Sequence, residues 1–262
     1  MKNKLNKFVL CMLFLAAGNV FGAEAVPAAP VDLKTLVEVL PWVGSASKDM
    51  PAKIILQKES VIVAIGDSIT KQGGYLKDCD AALAELYPEL KIPKIVNAGI
   101  GGQKAEDLVK RFEKDVVELK PDIVTISIGI NDVWHRMKAA HDLKVLETYK
   151  ENVEKMVDMA QSNKIKVILL APTIINENRE LESNKRLKFY VDGLKAISVK
   201  KKCGFVDLRG MFLEALTHQP PEVKRNWLTK DGVHMKPLGD AIMAVGVLRA
   251  FGVSDKEIEG LK

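Results

Sequence analysis

Five apolar, β-branched runs punctuate the chain at 60–65, 94–97, 122–128, 165–171 and 204–208, and each is followed by residues whose apolar positions return every three or four places. The runs predict strands. The spacing between them predicts helices over 74–87, 104–119, 143–162, 181–200 and 237–250, as where Leu108, Phe112, Val116 and Leu119 share one face. Runs such as IVTISI and KVILLA are nearly continuous in apolar character rather than alternating, which is what strands covered on both faces require. Strand and helix in regular alternation therefore predict an α/β fold, with a five-stranded parallel sheet inside a three-layer α/β/α sandwich. No internal repeat or second domain interrupts the alternation.

The residues ahead of this pattern read differently. In 1–22, Lys2, Lys4 and Lys7 precede an apolar stretch from Phe8 to Ala17 that is too short to span a bilayer, and small residues follow, which predicts a signal peptide. Cleavage after Gly22 and after Ala25 both fit. Residues 23–59, with several prolines, an amphipathic piece around Leu33 to Leu40 and a strand-like KIILQ, read as a lead-in to a main domain over 60–262. The expected mature chain is exported, secreted or periplasmic, with no stable membrane insertion.

Composition narrows the classes of function. At 262 residues, 47% hydrophobic and 28% charged, the chain has the material for one well-cored domain. Residues 1–22 hold three lysines and no acid, so of the 39 basic side chains 36 remain beyond them to face 34 acidic ones. That balance, with 6% aromatic residues, argues against nucleic acid as a partner. Cys79 and Cys203 lie in apolar surroundings; export permits a bridge between them, and a domain of this size does not need one.

In a sheet of this kind ligands bind beyond the carboxyl ends of the strands. Four stretches fall there: Gly66-Asp67-Ser68-Ile69-Thr70, Asn97-Ala98-Gly99-Ile100-Gly101-Gly102, Gly129-Ile130-Asn131-Asp132, and Asp231-Gly232-Val233-His234. Each alone has a plain structural reading. Ser68 is placed to cap a helix, the glycines to make a tight turn, Asn131-Asp132 an Asx turn, and Asp231 with His234 a surface ion pair. Together they supply the separate requirements of ester hydrolysis. A serine hydroxyl needs an imidazole within hydrogen-bond reach, and His234 is the candidate base for Ser68. The imidazole needs an acceptor on its other nitrogen, and Asp231 lies three residues away. The oxyanion needs donors, which the N–H groups of Ser68 and Gly102 and the Asn131 amide can provide. At the mouth of a helix, Ser68 would also sit where the local dipole favours developing negative charge.

These four blocks, in this order, resemble the SGNH hydrolase superfamily, the GDSL-type esterases and lipases, over about Ser60 to Ala250. The resemblance implies a flavodoxin-like sheet of order 2-1-3-4-5, a Ser68–His234–Asp231 triad, and an oxyanion hole of Ser68, Gly102 and Asn131. Gly102 is taken as the sixth position of the block that begins at Asn97, with Gly99 and Gly101 close by. Ile69 stands where the family's short name has leucine. Asp67 and Asp132 are expected to hold loop backbone. Trp134, His135 and Trp227 are candidates for substrate contact, beside the catalytic blocks. The expected reaction is two-step acyl transfer that needs no metal or organic cofactor and slows as acid protonates the imidazole. An exported enzyme of this kind suggests acetyl groups on glycans as substrate. Acyl lipids are the alternative, for which residues 211–228 would be the only candidate apolar lid; a binding module without turnover is the reading from another class.

Overall fold

A computed structural model describes residues 56–224 and 226–261. The expectations for residues 1–22, and for the lead-in up to residue 55, lie outside the described residues. Leu56 and Gln57 are irregular rather than strand, and Ser60 closes the turn after them by accepting the Gln57 N–H through its hydroxyl at 2.9 Å.

Five parallel strands, β1 (Ile62–Gly66), β2 (Val96–Gly99), β3 (Ile123–Ser127), β4 (Lys166–Leu170) and β5 (Gly204–Val206), form one sheet in the order β2-β1-β3-β4-β5. All five residues of both β1 and β3 are buried, whereas β2, at the edge, is exposed or half-buried throughout. The register aligns the strand ends. Gly66 pairs with Gly99 on one side and with Ser127 on the other, so the first three strands end level and release their loops side by side.

Among the described residues the helices are α1 (Ser68–Gln72), α2 (Gly74–Leu86), α3 (Ala105–Asp115), α4 (Ile130–Trp134), α5 (Leu143–Ser162), α6 (Glu182–Lys201), α7 (Leu208–Thr217), α8 (Pro237–Phe251) and α9 (Asp255–Glu259). Two groups pack among themselves, α2 with α8 and α7, and α3 with α5 and α6, and they give the sheet its two covering layers. From Leu238 to Phe251, α8 buries every residue except Asp240, with Arg249 the one charged side chain among the buried ones; a helix covered on all sides in this way belongs inside a core. Among the described residues no helix is long and apolar enough to cross a membrane.

The departures from the sequence pattern have local causes. The helix expected over 104–119 stops at Asp115, because Pro121 bars helical backbone at Lys120, and Val117–Leu119 tighten into a 3₁₀ turn. Helices α1, α4 and α9 have five residues each, too few to show a period. Helix α7 occupies the first part of the segment considered as an apolar lid. Met211 and Phe212 are fully buried there and Leu213 and Leu216 pack against the same core, so these side chains are committed to the interior.

Cys79 and Cys203 are buried free thiols. Burial pushes the Cys203 thiol up to about 11 and raises that of Cys79 well above the ordinary thiol range. In the native protein neither should react with an aromatic disulfide reagent at neutral pH, and both should react once urea unfolds the chain. Fast colour release from either before unfolding would contradict the packing.

Candidate active site

The site is assembled where the level ends of β1, β2 and β3 meet the segment between α7 and α8. After Gly66 the chain turns sharply, and Asp67 caps α1 by accepting the Ile69 N–H at 2.9 Å. The cap is therefore Asp67, not Ser68, which leaves the serine hydroxyl uncommitted to the helix. Since α1 has only five residues, its dipole is a small contribution. Ser68 is half-buried, and its Oγ lies 2.9 Å from Nε2 of His234, a residue 166 positions away. On the other side of the ring, Nδ1 is 2.6 Å from Oδ2 of Asp231.

Asp231 is fixed from within its own loop. Its Oδ1 accepts the N–H groups of Val233 at 3.0 Å and His234 at 2.8 Å. Burial alone would raise this carboxyl, but hydrogen bonds from the His234 backbone and ring and from Val233 outweigh it and bring the group to about 2. It stays an anion wherever the protein would be assayed. Asp67 and Asp132 shift the other way, to about 6 and about 7, because burial outweighs the single N–H that each accepts from a neighbouring residue.

The glycine loop after β2 stands beside Ser68: a Cβ on Gly101 would be 3.7 Å from Cβ of Ser68. At Gly102 the backbone is left-handed, with φ 77°, and among the described residues nothing lies within 4 Å of where a Cβ would stand, so its peptide borders open space there. Gly99 cannot play that part, since a Cβ there would collide with the Lys71 backbone at 2.2 Å. Asn131, buried at the start of α4, donates from Nδ2 to the Gln103 carbonyl at 3.1 Å, which holds one amide hydrogen and leaves the other to face elsewhere. The neighbouring Asp132 accepts the Ala105 N–H at 3.3 and 3.4 Å, tying the third block to the residues just past the second.

Ser68, Asp231 and His234 are thus joined by hydrogen bonds, and Gly102 and Asn131 are brought to the same strand ends. The three candidates for substrate contact differ. Trp134 is half-buried against the core, His135 is exposed, and Trp227 is 9% exposed with its ring packed among core residues rather than offered for stacking. Two supporting residues escaped the sequence patterns. Arg111 donates to the Gly66 carbonyl at 3.1 Å and to Gln103 Oε1 at 2.6 Å, so one guanidinium links the end of β1 to the glycine loop. Tyr149 donates to the Ile128 carbonyl at 3.1 Å ahead of Asn131. In sequence, Arg111 was one charge on an amphipathic helix and Tyr149 one apolar position among several.

Comparison with known proteins places the chain in a family. The model of the GDSL-like lipase/acylhydrolase family matches residues 64–242. An acetylxylan esterase from Geobacillus stearothermophilus is 33% identical over 211 residues, which span 73% of this chain and 93% of that one. Its crystal structure superimposes with a TM-score of 0.69 at 30% identity, covering 77% of this chain and 98% of that one. Structures of that esterase include catalytic mutants in which a serine, a histidine and an aspartate are each changed to alanine, the last two three positions apart as here. An α/β hydrolase from the metagenome of Lake Arreo, Spain, superimposes with a TM-score of 0.67 at 30% identity, covering 75% and 97% of the two chains. With 179 consecutive positions inside the family's boundaries, 64 to 242, the chain belongs to the GDSL-like lipase/acylhydrolase family, of the SGNH hydrolase type, and is a carboxylic ester hydrolase.

Proposed function

We propose that the chain removes acetyl groups from carbohydrate outside the cytoplasm, with Ser68 as nucleophile. The observation that carries this reading is the continuous line from Ser68 Oγ through the His234 ring to Asp231, at 2.9 and 2.6 Å. Ser68 Oγ attacks the ester carbonyl carbon while its proton passes to Nε2. The carbonyl oxygen becomes an oxyanion, held by the N–H groups of Ser68 and Gly102 and by the free amide hydrogen of Asn131. On collapse the C–O bond to the sugar breaks, and the proton on Nε2 leaves with the sugar hydroxyl. Water then attacks the acetyl-serine through the same base, releasing acetate and restoring Ser68. The scheme calls on no metal or organic cofactor.

The acetyl preference is supported by the acetylxylan esterase relative and by the burial of Met211 and Phe212, which removes the apolar surface a long acyl chain would need. Trp134 and His135, one turn beyond Asn131, are the proposed carbohydrate contacts. Export is supported by the leader-like residues 1–22 and by a Bacillus subtilis lipoprotein 31% identical over 110 residues, 42% of this chain and 43% of that one.

The test is an ester panel that runs from acetylated xylo-oligosaccharides and p-nitrophenyl acetate to long-chain lysophospholipids. Turnover of acetyl esters, indifferent to chelators and abolished by a serine-directed fluorophosphonate, is expected. Preference for the lysophospholipids would replace the acetyl reading with the lipid one. Asn131→Ala should lower kcat on p-nitrophenyl acetate by about 10²–10³-fold with KM little changed, the cost of removing one oxyanion donor. A loss confined to KM would mean that Asn131 binds substrate without stabilising the transition state.

A further inference from the structure

Asp231 and His234 ride on a small loop whose ends are drawn together by an antiparallel bridge between Thr229 and Met235. Lys230 N–H donates to the His234 carbonyl at 2.8 Å, and Lys236 N–H to the Leu228 carbonyl at 2.9 Å. The direction of this neck decides where the imidazole stands relative to Ser68, which belongs to a different part of the fold. The neck is gripped from outside by one carboxylate. Glu177 accepts the N–H of Trp227 at 2.6 Å on Oε2, and on Oε1 the N–H groups of Leu228 at 3.1 Å and Thr229 at 2.6 Å together with the Thr229 hydroxyl. Three successive peptide donors converging on an anion make a strong and directional attachment.

We propose that Glu177 is a positioning residue for catalysis: through the backbone of residues 227–229 it sets the place of His234 beside Ser68. It touches neither the reacting atoms nor the triad side chains. The inference deepens the triad reading and rests on it.

The surroundings of Glu177 are built for this task. It follows β4 in a turn where both Asn176 and Glu177 are left-handed, at φ 53° and 47°, a conformation that side-chain-bearing residues keep only when their surroundings enforce it. Asn176 N–H donates to the Gly232 carbonyl at 2.7 Å, so the turn holds the tip of the catalytic loop as well as its neck. Gly232 is itself left-handed, and a Cβ there would stand 2.2 Å from Asn176 Oδ1. The turn is pinned in its own right by Asn184, fully buried in α6. Asn184 accepts the Ile175 N–H at 2.9 Å and donates to the carbonyls of Ile175 and Asn178, each at 2.6 Å. A fixed line of contacts therefore runs from α6 through Glu177 to the loop that carries the base. Leu228 and Thr229 are fully buried, so water cannot simply take over from the carboxylate.

Glu177→Ala and Glu177→Gln in the full chain test this. Both are assayed well below their unfolding midpoints, with rates expressed per folded molecule. Glu177→Ala should lower kcat on p-nitrophenyl acetate by about 10–10²-fold with KM unchanged, as expected when a base is displaced by a fraction of an ångström to an ångström. Glu177→Gln keeps one acceptor oxygen and should fall between the alanine variant and wild type; it carries the test alone if the alanine variant does not fold. Labelling of Ser68 by a fluorophosphonate, read by mass spectrometry, should slow in parallel, since it reports activation of the serine without a sugar. Variants that melt earlier but keep wild-type kcat and labelling rate would make Glu177 a scaffold residue only and overturn the inference. Wild-type protein that takes no label on Ser68 would overturn the triad reading itself, a result distinct from the first.

Discussion

Ser68→Ala is expected to lower kcat on p-nitrophenyl acetate by about 10⁶-fold, leaving the residue of catalysis that oxyanion donors and binding can give without a nucleophile. The size follows from the lack of a stand-in. Thr70, two residues on, is fully buried, with its hydroxyl engaged at 3.2 Å to the Tyr75 hydroxyl. Among the described residues the hydrogen-bond partners of the imidazole ring are Ser68, at 2.9 Å on one nitrogen, and Asp231 on the other, with no second hydroxyl to deprotonate. His234→Ala should cost a similar factor, and the double variant little more than either alone, because in the proposed scheme base and nucleophile act as one unit and the first loss already abolishes the step. Since Ser68 is half-buried and does not cap α1, far-UV circular dichroism and the melting temperature should stay close to wild type. Ser68→Ala activity within tenfold of wild type would remove the nucleophile from the scheme.

Asp231→Asn should cost about 10⁴-fold in kcat, more than loss of a hydrogen bond would suggest. The reason lies in how the carboxylate divides its oxygens. Oδ1 serves the N–H groups of Val233 and His234 and Oδ2 serves the ring. An asparagine must keep its oxygen toward the two peptide donors, which turns its NH₂ toward Nδ1. Nδ1 then has to accept, the ring proton moves to Nε2, and Nε2 can no longer take the serine proton. Nitrogen-15 spectra of the ring should show that exchange of tautomers, and an unchanged ring proton on Nδ1 with full activity would refute it. The same carboxylate leaves a trace in stability. Its folded value of about 2 lies below the ordinary 3.8, so the stabilisation it gives is present above about pH 4 and disappears as pH falls toward 2. Urea midpoints of wild type and Asp231→Asn should converge over that interval.

The legible part of this protein is the part written in neighbouring residues. Each of the five strands was expected within a few residues of where it lies, because uncharged β-branched runs such as IVAIG and IVTIS, the second with only Thr125 and Ser127 as polar positions, read as strands buried on both sides. The triad candidates stood out because Gly-Asp-Ser and Asp-x-x-His are each contiguous. Where the sequence left two roles open for a residue, the missing information was burial. Trp227, which could stack or pack, is 9% exposed among core residues, and Met211 and Phe212, in the segment weighed as a lid, line the interior of α7. Glu177 and Arg111 carried no motif, since an acid in a polar loop and an arginine on a helix look the same whether solvated or gripping a backbone.

Taken alone, the order of residues determined the alternation of strand and helix, the parallel sheet, and the chemistry available at its carboxyl edge, because side-chain periodicity and short blocks are local properties of a chain. Only the tertiary structure decided that Ser68 and His234 lie 2.9 Å apart across 166 positions, which glycine borders open space, and which carboxylate holds the backbone ahead of Asp231. Those facts depend on strands ending level and on loops from separate elements meeting. Such meetings are set by how buried surfaces pack against one another, and no window of sequence contains both sides of that contact.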